Sequence, residues 1–439
     1  MLDRSAPRPS WDTLFRVFGR IGLLSFGGPA GQIALMHREL VEEQGWLDEP
    51  QFLHALNFCM LLPGPEAMQL ATYSGWLMRG VGGGLLAGLL FVLPGFAVII
   101  ALSAIYFYHG DLTVVAGILF GLKAAVLAIV VEALIKVSRR ALRSRLGWVL
   151  AVAAFVAIAL LKLPFPLIVL GAGVIGIAGS VIGGNSRQER TVVPDRDLAG
   201  SLPGLTWPTV RTVAVWGLLW LVPLAGLLVL PGIADAFVLM AVFFSKAAIV
   251  TFGGAYAVLA YVGQQAVEVH GWLRPGDMLA GLGLAETTPG PLILVLVFVG
   301  FLGGAREAGL DPLLGGLFGG TLALFFTFVP CFLWIFAGAP HIERLRSVQW
   351  LSAGLSAITA AVVGVICNLA VWFGLNVLFG TVGAIGLGPL ELPTPDLTTL
   401  NVAALAIALG AGVALLRFHL NLFVVLGAAA LAGVMVAVV

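Results

Sequence analysis

Long apolar runs separated by short polar stretches follow one another along this chain. Many of them hold about twenty residues or more, which is the length that ~30 Å of hydrocarbon requires. The pattern predicts an all-α polytopic membrane protein with about thirteen transmembrane segments. The predicted segments fall near residues 14–36, 52–78, 80–108, 112–137, 146–162, 163–183, 209–231, 233–262, 277–302, 312–338, 350–376, 398–416 and 419–438.

The longest polar stretch, NSRQERTVVPDRDLAGS, follows the sixth predicted segment and divides the chain. We assign a first repeat to residues 1–183, a cytoplasmic linker to 184–208, a connecting span to 209–231 and a second repeat to 232–439. Lys and Arg are concentrated in alternate predicted loops, as in the cytoplasmic loops of membrane proteins, whereas the loop between the first two segments is acidic. This distribution predicts a multi-pass protein of the inner (plasma) membrane with a cytoplasmic N-terminus.

Three motifs occur twice, at a constant displacement of 226 residues. Six predicted segments make one repeat and one extra span joins the two, so equivalent segments are an odd number apart. The copies therefore enter the membrane in opposite directions, which is the architecture of inverted-repeat transporters with alternating access. The paired motifs are Ser25-Phe26-Gly27-Gly28 with Thr251-Phe252-Gly253-Gly254, Gly45-Trp46-Leu47 with Gly271-Trp272-Leu273, and Pro63-Gly64-Pro65 with Pro289-Gly290-Pro291.

The Phe-Gly-Gly and Pro-Gly-Pro motifs predict broken helices inside the membrane. Glycine tolerates a positive φ, and Pro65 and Pro291 suit the first position of a new half-helix, where a missing N–H loses nothing. A half-helix N-terminus presents free N–H groups and a positive potential, which favour an anion. The alternative is that the glycines only allow close packing and the prolines only kink their helices.

Two cations occupy equivalent positions, each five residues before its break. Arg20 and Lys246 could bracket a divalent oxyanion, with bidentate geometry from the Arg and a point charge from the Lys. The alternative for Arg20 is that its side chain reaches the cytoplasmic interface. Lys123, in the fourth predicted segment, is a third candidate for lining the pathway.

Two carboxylates near the Pro-Gly-Pro motifs are candidates for proton coupling. Glu286 lies at the expected C-terminal end of a half-helix, where burial and the helix dipole favour the neutral form of a reversible proton carrier. Its alternative role is an ion pair with a cation such as Lys246. Glu66 follows Pro65 in the first turn of a predicted helix, where a carboxylate stabilises the helix by its charge. Its role is therefore either proton coupling or gating, or only stabilisation of this helix start.

Composition and motif searches argue against several other classes. Hydrophobic residues make up 60% of the chain, the mean hydropathy is +1.06 and the net charge is +1, which gives no reason to expect nucleic-acid binding. Cys59, Cys331 and Cys367 lack metal-ligand spacing, and no GxxxxGK[ST] motif or nucleophile and base set is present. We therefore expect no cofactor, no metal site and no enzyme activity.

With these residues in view, the chain resembles the long, two-domain form of the chromate ion transporter family. The resemblance rests on FGRIGLLSFGGPAGQIALMHRELV, GWLDEPQFLHALNFCMLLPGPEAMQLATYSGW, and the weaker echo SKAAIVTFGGAYAVLAYVGQQAVEVHGWL with ETTPGP. It implies efflux of chromate, a divalent tetrahedral oxyanion, in a manner thought to depend on the proton motive force. The positions carried over are Phe26-Gly27-Gly28-Pro29, Pro63-Gly64-Pro65, Gln69, Phe252-Gly253-Gly254 and Pro289-Gly290-Pro291.

The second copy departs from the first at two of these motifs. Ala255 stands at the position equivalent to Pro29, and Leu292 at the position equivalent to Glu66, so we expect the halves to differ in function. Sulfate has the same shape and charge as chromate, which leaves a transporter of sulfate or another anion as an alternative. A passive anion channel is another. The expected partners are the oxyanion and the lipid bilayer, with a second copy of the chain left open.

Overall fold

The computed structural model describes residues 9–182, 206–229, 235–252, 254–342, 348–387 and 390–438. Sixteen α-helices hold most of these residues. The helices of the first half are α1 (Trp11–Leu24), α2 (Gly28–His37), α3 (Glu49–Cys59), α4 (Glu66–His109), α5 (Thr113–Ala141), α6 (Arg145–Ala159), α7 (Phe165–Ile182) and α8 (Trp207–Val229). The helices of the second half are α9 (Asp235–Val250), α10 (Ala255–Gln264), α11 (Pro275–Glu286), α12 (Val295–Glu307), α13 (Pro312–Gly338), α14 (Gln349–Leu378), α15 (Val402–Leu416) and α16 (Leu422–Val438).

Long apolar helices confirm the predicted class, an all-α polytopic membrane protein. Within the described ranges, six helices are long and apolar enough to cross a membrane, and three further apolar helices are shorter. Short π-helical turns, Arg38–Glu43 and Gln265–Val269, extend α2 and α10 at equivalent positions of the two halves. A small antiparallel hairpin of β1 (Val382–Leu387) and β2 (Leu390–Pro395) lies between α14 and α15. Most of the predicted linker, namely residues 184–205 of 184–208, lies outside the described residues.

Four of the predicted spans are interrupted near their centres. The duplicated motifs separate α1 from α2, α3 from α4, α9 from α10 and α11 from α12. At the Pro-Gly-Pro motifs the chain reverses its direction. Across the first of them the ring centroids of Phe58 and Tyr73 lie 5.4 Å apart. Across the second, the Arg306 Nη1 atom donates a 2.8 Å hydrogen bond to the carbonyl oxygen of Trp272.

The Phe-Gly-Gly interruptions also return the chain toward the side from which it came. The ring centroids of Phe18 and Trp46 lie 6.4 Å apart, and those of the equivalent pair Phe244 and Trp272 lie 6.5 Å apart. The acidic loop that follows α2 therefore lies on the same side as the start of α1, whereas an uninterrupted segment over residues 14–36, as predicted, would place it on the opposite side. The reason is physical: the length of an apolar run does not distinguish a broken span from a re-entrant hairpin.

These hairpins enter the molecule from two opposite faces. The near face is marked by Arg79, whose Nε atom donates a 2.7 Å hydrogen bond to the carbonyl oxygen of Pro9. After non-helical backbone at Arg79 and Gly80, residues 81–109 of α4 are long enough, about 43 Å, to reach the far face. There the Tyr106 hydroxyl donates a 2.6 Å hydrogen bond to Asp277 in the first turn of α11. The hairpin of α3 and α4 thus opens to the near face, and that of α11 and α12 to the far face.

Small residues allow the helices of the two halves to pack closely. A Cβ atom at Gly121 of α5 would lie 1.9 Å from the carbonyl oxygen of Ala429 in α16, and one at Gly176 of α7 would lie 2.5 Å from the Cβ of Ala357 in α14. The last two helices of each predicted repeat therefore pack on a long helix of the other repeat, since α15 and α16 contact α5 while α6 and α7 contact α14. This exchange interlocks the two halves.

Candidate functional site

The tips of the hairpins from the two halves are joined by a reciprocal pair of backbone hydrogen bonds. The Gly64 amide donates to the carbonyl oxygen of Thr251 at 2.7 Å, and the Gly290 amide donates to the carbonyl oxygen of Ser25 at 2.8 Å. These four residues occupy equivalent positions at the displacement of 226. We call them the crossing. Each Pro-Gly-Pro turn thus pairs with the break of the other half, which satisfies backbone groups that the interrupted helices leave free.

Local chemistry explains why the chain breaks here. Gly27, Gly28 and Gly254 adopt φ values of 81°, 71° and 96°, and Gly64 adopts 126°, a region that favours glycine. Gly253, a predicted binding residue, lies outside the described residues. Gly27 is exposed, and Gly28 and Gly254 are half-buried. At each of these three glycines, no described atom lies within 4 Å of the position that a Cβ would take. Phe26 and Phe252 each donate their amide to the residue two positions earlier.

The hydroxyl groups at the two breaks face back into their own helices. Ser25 Oγ donates to the carbonyl oxygen of Ile21 at 2.6 Å, and Thr251 Oγ1 donates to that of Ala247 at 2.5 Å. Both residues are fully buried. Their contribution to the crossing is therefore the carbonyl oxygen, and their hydroxyls cap the ends of α1 and α9.

Two buried glutamines support the crossing from one half only. Gln32 Nε2 donates a 2.6 Å hydrogen bond to the carbonyl oxygen of Gly290, and Gln69 Nε2 donates a 2.7 Å hydrogen bond to that of Pro63. The Oε1 atom of each is buried without a hydrogen-bond partner. Val258 and Val295 occupy the equivalent positions in the second half. The sequence analysis did not select Gln32. Its polar side chain in an otherwise apolar half-helix next to the Phe-Gly-Gly break could have indicated a hydrogen-bonding role.

Half-helix N-termini begin within a few residues of every member of the crossing. Gly28 begins α2, Glu66 begins α4, Ala255 begins α10, and a short 3₁₀ turn at Leu292–Leu294 leads into α12. The first-turn N–H groups of a helix have no partners within that helix and carry partial positive charge. Four such ends around one point make an arrangement that can stabilise an anion without a side-chain cation.

A buried carboxyl group and a tyrosine hydroxyl meet beside the crossing. The Tyr256 hydroxyl, in the first turn of α10, donates a 2.6 Å hydrogen bond to Glu286 Oε1, at the end of α11. Glu286 is 3% exposed and makes no ion pair in the described part of the chain. It therefore does not pair with Lys246, the alternative considered from the sequence. Tyr256 was not predicted from the sequence. A buried carboxyl group needs a hydrogen-bond donor, and this need could have directed attention to the nearby tyrosine.

Glu66 lies in a different environment from Glu286. It is half-buried at the start of α4, and no hydrogen bond or ion pair joins it to another described residue. Leu292 occupies the equivalent position in the second half. A carboxylate at a helix N-terminus is stabilised by the free amides around it, so Glu66 has a favourable position without a partner.

The two equivalent cations differ in their contacts. Arg20 Nε lies 3.2 Å from Glu39 and Arg20 Nη1 lies 3.4 Å from Glu43, in the turn that follows α2. Lys246 is exposed on α9 and makes no ion pair within the described ranges, although it interacts electrostatically with His270. Gln265 and Val269 occupy the positions equivalent to the two glutamates, so the second half has lost the partners that hold Arg20.

Lys123 lies at a different place from Arg20 and Lys246. It lines a cavity at the far face together with Tyr106, Asp277 and Arg306. Glu132 and Lys136 form an ion pair four residues apart on α5, with 2.6 Å between Nζ and Oε1. Across the described ranges, no three His, Cys, Asp or Glu side chains are grouped so that they could hold a metal ion.

Comparison with known proteins identifies the family. The profile described as "Chromate transporter" matches residues 13–177 and 238–434. A chromate transport protein of Pseudomonas aeruginosa is 32% identical over 364 residues, covering 82% of this chain and 80% of that protein. A chromate transport protein of Cupriavidus metallidurans is 26% identical, covering 84% and 83%, and a probable one of Synechococcus elongatus is 27% identical, covering 91% and 95%. No solved structure matches this chain. The chain therefore belongs to the chromate transporter family of membrane proteins.

Proposed function

We propose that this protein is a secondary active transporter that exports chromate from the cytoplasm across the inner membrane. Membership of the chromate transporter family supports the substrate. The observation that carries the mechanism is the reciprocal pair of hydrogen bonds at the crossing, which joins hairpins that open to opposite faces. An inverted pair of hairpins around one shared point is the arrangement that alternating access needs.

Chromate would bind beside the crossing, at the half-helix N-termini. The left-handed glycines leave room for an oxyanion to approach backbone N–H groups, because no described atom lies within 4 Å of the position that a Cβ would take at Gly27, Gly28 or Gly254. Ser25 and Thr251 would hold the two breaks in register, and Gln32 and Gln69 would fix the Pro-Gly-Pro turns. Lys246, exposed and without an ion pair, is the candidate cation of this site, whereas Arg20 would hold the near-face hairpin through its glutamates.

Proton coupling would depend on Glu286 and Tyr256. This carboxyl group is almost fully buried, is bonded to one hydroxyl and has no ion-pair partner among the described residues, so binding of a dianion nearby would change its proton affinity. Glu132 of α5 interacts electrostatically with both residues and gives a second acidic group on the same route. Glu66, at the N-terminus of α4, is the weaker candidate because a helix start explains its position.

Labelled chromate flux in inside-out vesicles tests the proposal. Accumulation against a gradient that collapses on addition of a protonophore is expected. The Lys246→Ala and Glu286→Gln variants are expected to lose accumulation, and unchanged transport in both would sink the site assignment. Gradient-independent flux that never exceeds equilibrium would support a passive channel instead.

A transporter for sulfate or another dianion is the second candidate function. Backbone N–H groups bind the oxygen atoms of a tetrahedral anion and discriminate little between oxyanions that differ in the central atom. Competition between sulfate and labelled chromate in the same vesicles separates the two: sulfate that displaces chromate at equal concentration would favour a broader oxyanion transporter.

A further inference from the structure

A second polar cavity, of about 790 Å³, lies at the far face and is separate from the crossing. It is enclosed by the end of α4, the start of α5, the mouth of the hairpin of α11 and α12, and the end of α16. Nine residues of α11, about 14 Å, separate Asp277 in this cavity from Glu286 beside the crossing. The polar side chains that line the cavity are Tyr106, Asp111, Lys123, Arg274, Asp277 and Arg306.

The negative charge of Asp277 is already satisfied within the protein. Its carboxylate accepts hydrogen bonds from the Tyr106 hydroxyl at 2.6 Å, the Arg274 amide at 2.8 Å and Arg306 Nη1 at 2.7 Å. Arg306 also donates to the carbonyl oxygen of Trp272, so its guanidinium is held in place. This network fixes the mouth of the hairpin and orients one guanidinium at the cavity wall.

Two further cations in the cavity have no carboxylate partner. Lys123 makes no hydrogen bond or ion pair within the described ranges, and its Nζ atom lies 3.4 Å from the position that a Cβ on Gly276 would take. The amine is therefore poised over the first turn of α11, where the helix dipole adds positive potential. Arg274, immediately before α11, uses its backbone amide for Asp277 and leaves its exposed guanidinium unpaired among the described residues. Asp111 is exposed at the rim.

The equivalent mouth on the near face has the opposite character. Asp48 and Gln51 occupy the positions equivalent to Arg274 and Asp277. After the insertion AREAGLDPLL in the second half the displacement between equivalent positions is 236, so Thr359 occupies the position equivalent to Lys123. The near-face turn also carries several carboxylates, at Glu39, Glu42, Glu43 and Glu49. Repetition of the fold therefore does not explain Lys123 and Arg274, which have no cation at the equivalent positions.

We propose that the far-face cavity is a second binding site for a tetrahedral oxyanion dianion, held by Lys123, Arg274 and Arg306. This inference rests on the proposed function, because it assigns the site to the transported ion as it leaves the crossing. Lys123 and Arg274 supply positive charge that no ion pair among the described residues neutralises, and Arg306 supplies N–H donors in a fixed orientation. Cations of this kind raise the local concentration of a dianion at the mouth.

Charged thiol reagents measure the potential of this cavity without any transport. Ala116 lines the cavity and is exposed, so an Ala116→Cys variant in a Cys367→Ser background offers one accessible thiol beside the buried Cys59 and Cys331. We expect an anionic methanethiosulfonate to label it about threefold or more faster than a cationic one of similar size, relative to their rates with a free thiol. Adding Lys123→Gln should remove most of this preference, and Lys123→Arg should keep it.

The matched control is Arg417→Gln, which removes an exposed cation outside the cavity and should leave the preference unchanged. Sulfate and molybdate, tetrahedral dianions that spare thiols from the oxidation that chromate causes, should protect the cysteine in nanodiscs made of phosphatidylcholine alone. Absence of protection by both dianions overturns the proposal, with or without the preference for the anionic reagent. So does slow labelling that appears only with phosphatidylglycerol and does not respond to dianions, because a lipid headgroup would then fill the cavity.

The two hypotheses fail in different ways. Loss of the proposed function would show as absence of chromate accumulation in vesicles while labelling and protection persist. Loss of this inference would show as normal accumulation with no protection by either dianion.

Discussion

The amide of Gly290 donates a 2.8 Å hydrogen bond to the carbonyl oxygen of Ser25, in the opposite half of the chain. The amide of Gly64 makes the equivalent bond to Thr251. A movement that separates the two hairpin tips must break these bonds inside an apolar environment, where an unpaired amide costs several kcal/mol. The two bonds therefore hold the tips of the hairpins from the two halves together.

Substitution of the crossing glycines should abolish transport. A Cβ at Gly64 would lie 2.7 Å from Gln69 Nε2 and 2.8 Å from Cys331 Sγ, and Gly64 has a φ of 126°. Gly64→Ala must therefore displace the Pro-Gly-Pro turn and its bond to Thr251, at a cost of about 1–3 kcal/mol from backbone strain alone. Chromate flux and the Tm in detergent measure the result. Gly179→Ala is the control, because Gly179 has open space and an ordinary helical backbone, and an equal loss there would contradict the prediction.

Removal of the Tyr256 hydroxyl should weaken the coupling site. Tyr256→Phe leaves the buried Glu286 carboxyl without its donor, which costs about 1–3 kcal/mol of stability and changes the proton dependence of flux. Tyr261→Phe, on the same helix, removes a hydroxyl for which the structure gives no hydrogen bond to another described residue and should have little effect. Flux is measured with and without a pH gradient. Identical gradient dependence in both variants would exclude Tyr256 from coupling.

Substitution of Arg20 should lower the stability of the protein, whereas substitution of Lys246 should lower chromate transport. Arg20→Ala leaves the Glu39 carboxylate, 1% exposed, without its nearest cation, so we expect a loss of about 1–3 kcal/mol in the free energy of unfolding. Lys246→Ala breaks no ion pair and should change Tm little while reducing chromate flux. Tm and flux measured on both variants give the comparison. A large fall in Tm for Lys246→Ala, or none for Arg20→Ala, would reverse the two roles.

The near-face hairpin should lose some stability as the pH rises. A hydrogen bond to Glu49, at 2.5 Å, and the neighbouring charge of Glu42 raise the pKa of His37, at the end of α2, above its ordinary value of 6.5. A raised pKa means that protonated His37 favours the folded state. Its contribution is complete below about pH 6.5 and disappears as the pH rises through the raised pKa.

The effect of His37 should be small, because these ion pairs are largely exposed and screened by solvent. Tm measured against pH for wild type and for His37→Gln should converge at high pH and differ at low pH. His109→Gln, at the exposed end of α4, should follow the wild-type curve. A difference between wild type and His37→Gln that grows with increasing pH would have the wrong sign.

The side chain of Gln32 should be required for full chromate transport and stability. Gln32→Leu removes the 2.6 Å hydrogen bond to the carbonyl oxygen of Gly290 and leaves that carbonyl unsatisfied. We expect reduced chromate flux and a lower Tm. Gln51→Leu, which removes the capping contact at the start of α3, is a control for loss of a glutamine far from the crossing. Full flux in Gln32→Leu would remove the glutamine from the support of the crossing.

The sequence by itself determined where the helices break and which breaks correspond. Glycine and proline act on their own backbone through φ and a missing N–H, so the positions of Gly27, Gly64 and Gly290 could be predicted without the fold. The apolar runs likewise determined the all-α membrane class.

Only the tertiary structure decided the direction of the chain at each break, because a break permits both continuation and reversal. Packing between distant segments makes that choice, as the contact of Arg79 with Pro9 shows. The same holds for partners: Tyr256 meets Glu286, and Lys123 lies in a far-face cavity away from Lys246, through contacts that no spacing along the chain specifies. Local chemistry is encoded in neighbouring residues, whereas the crossing is made by segments that meet only when both halves have folded.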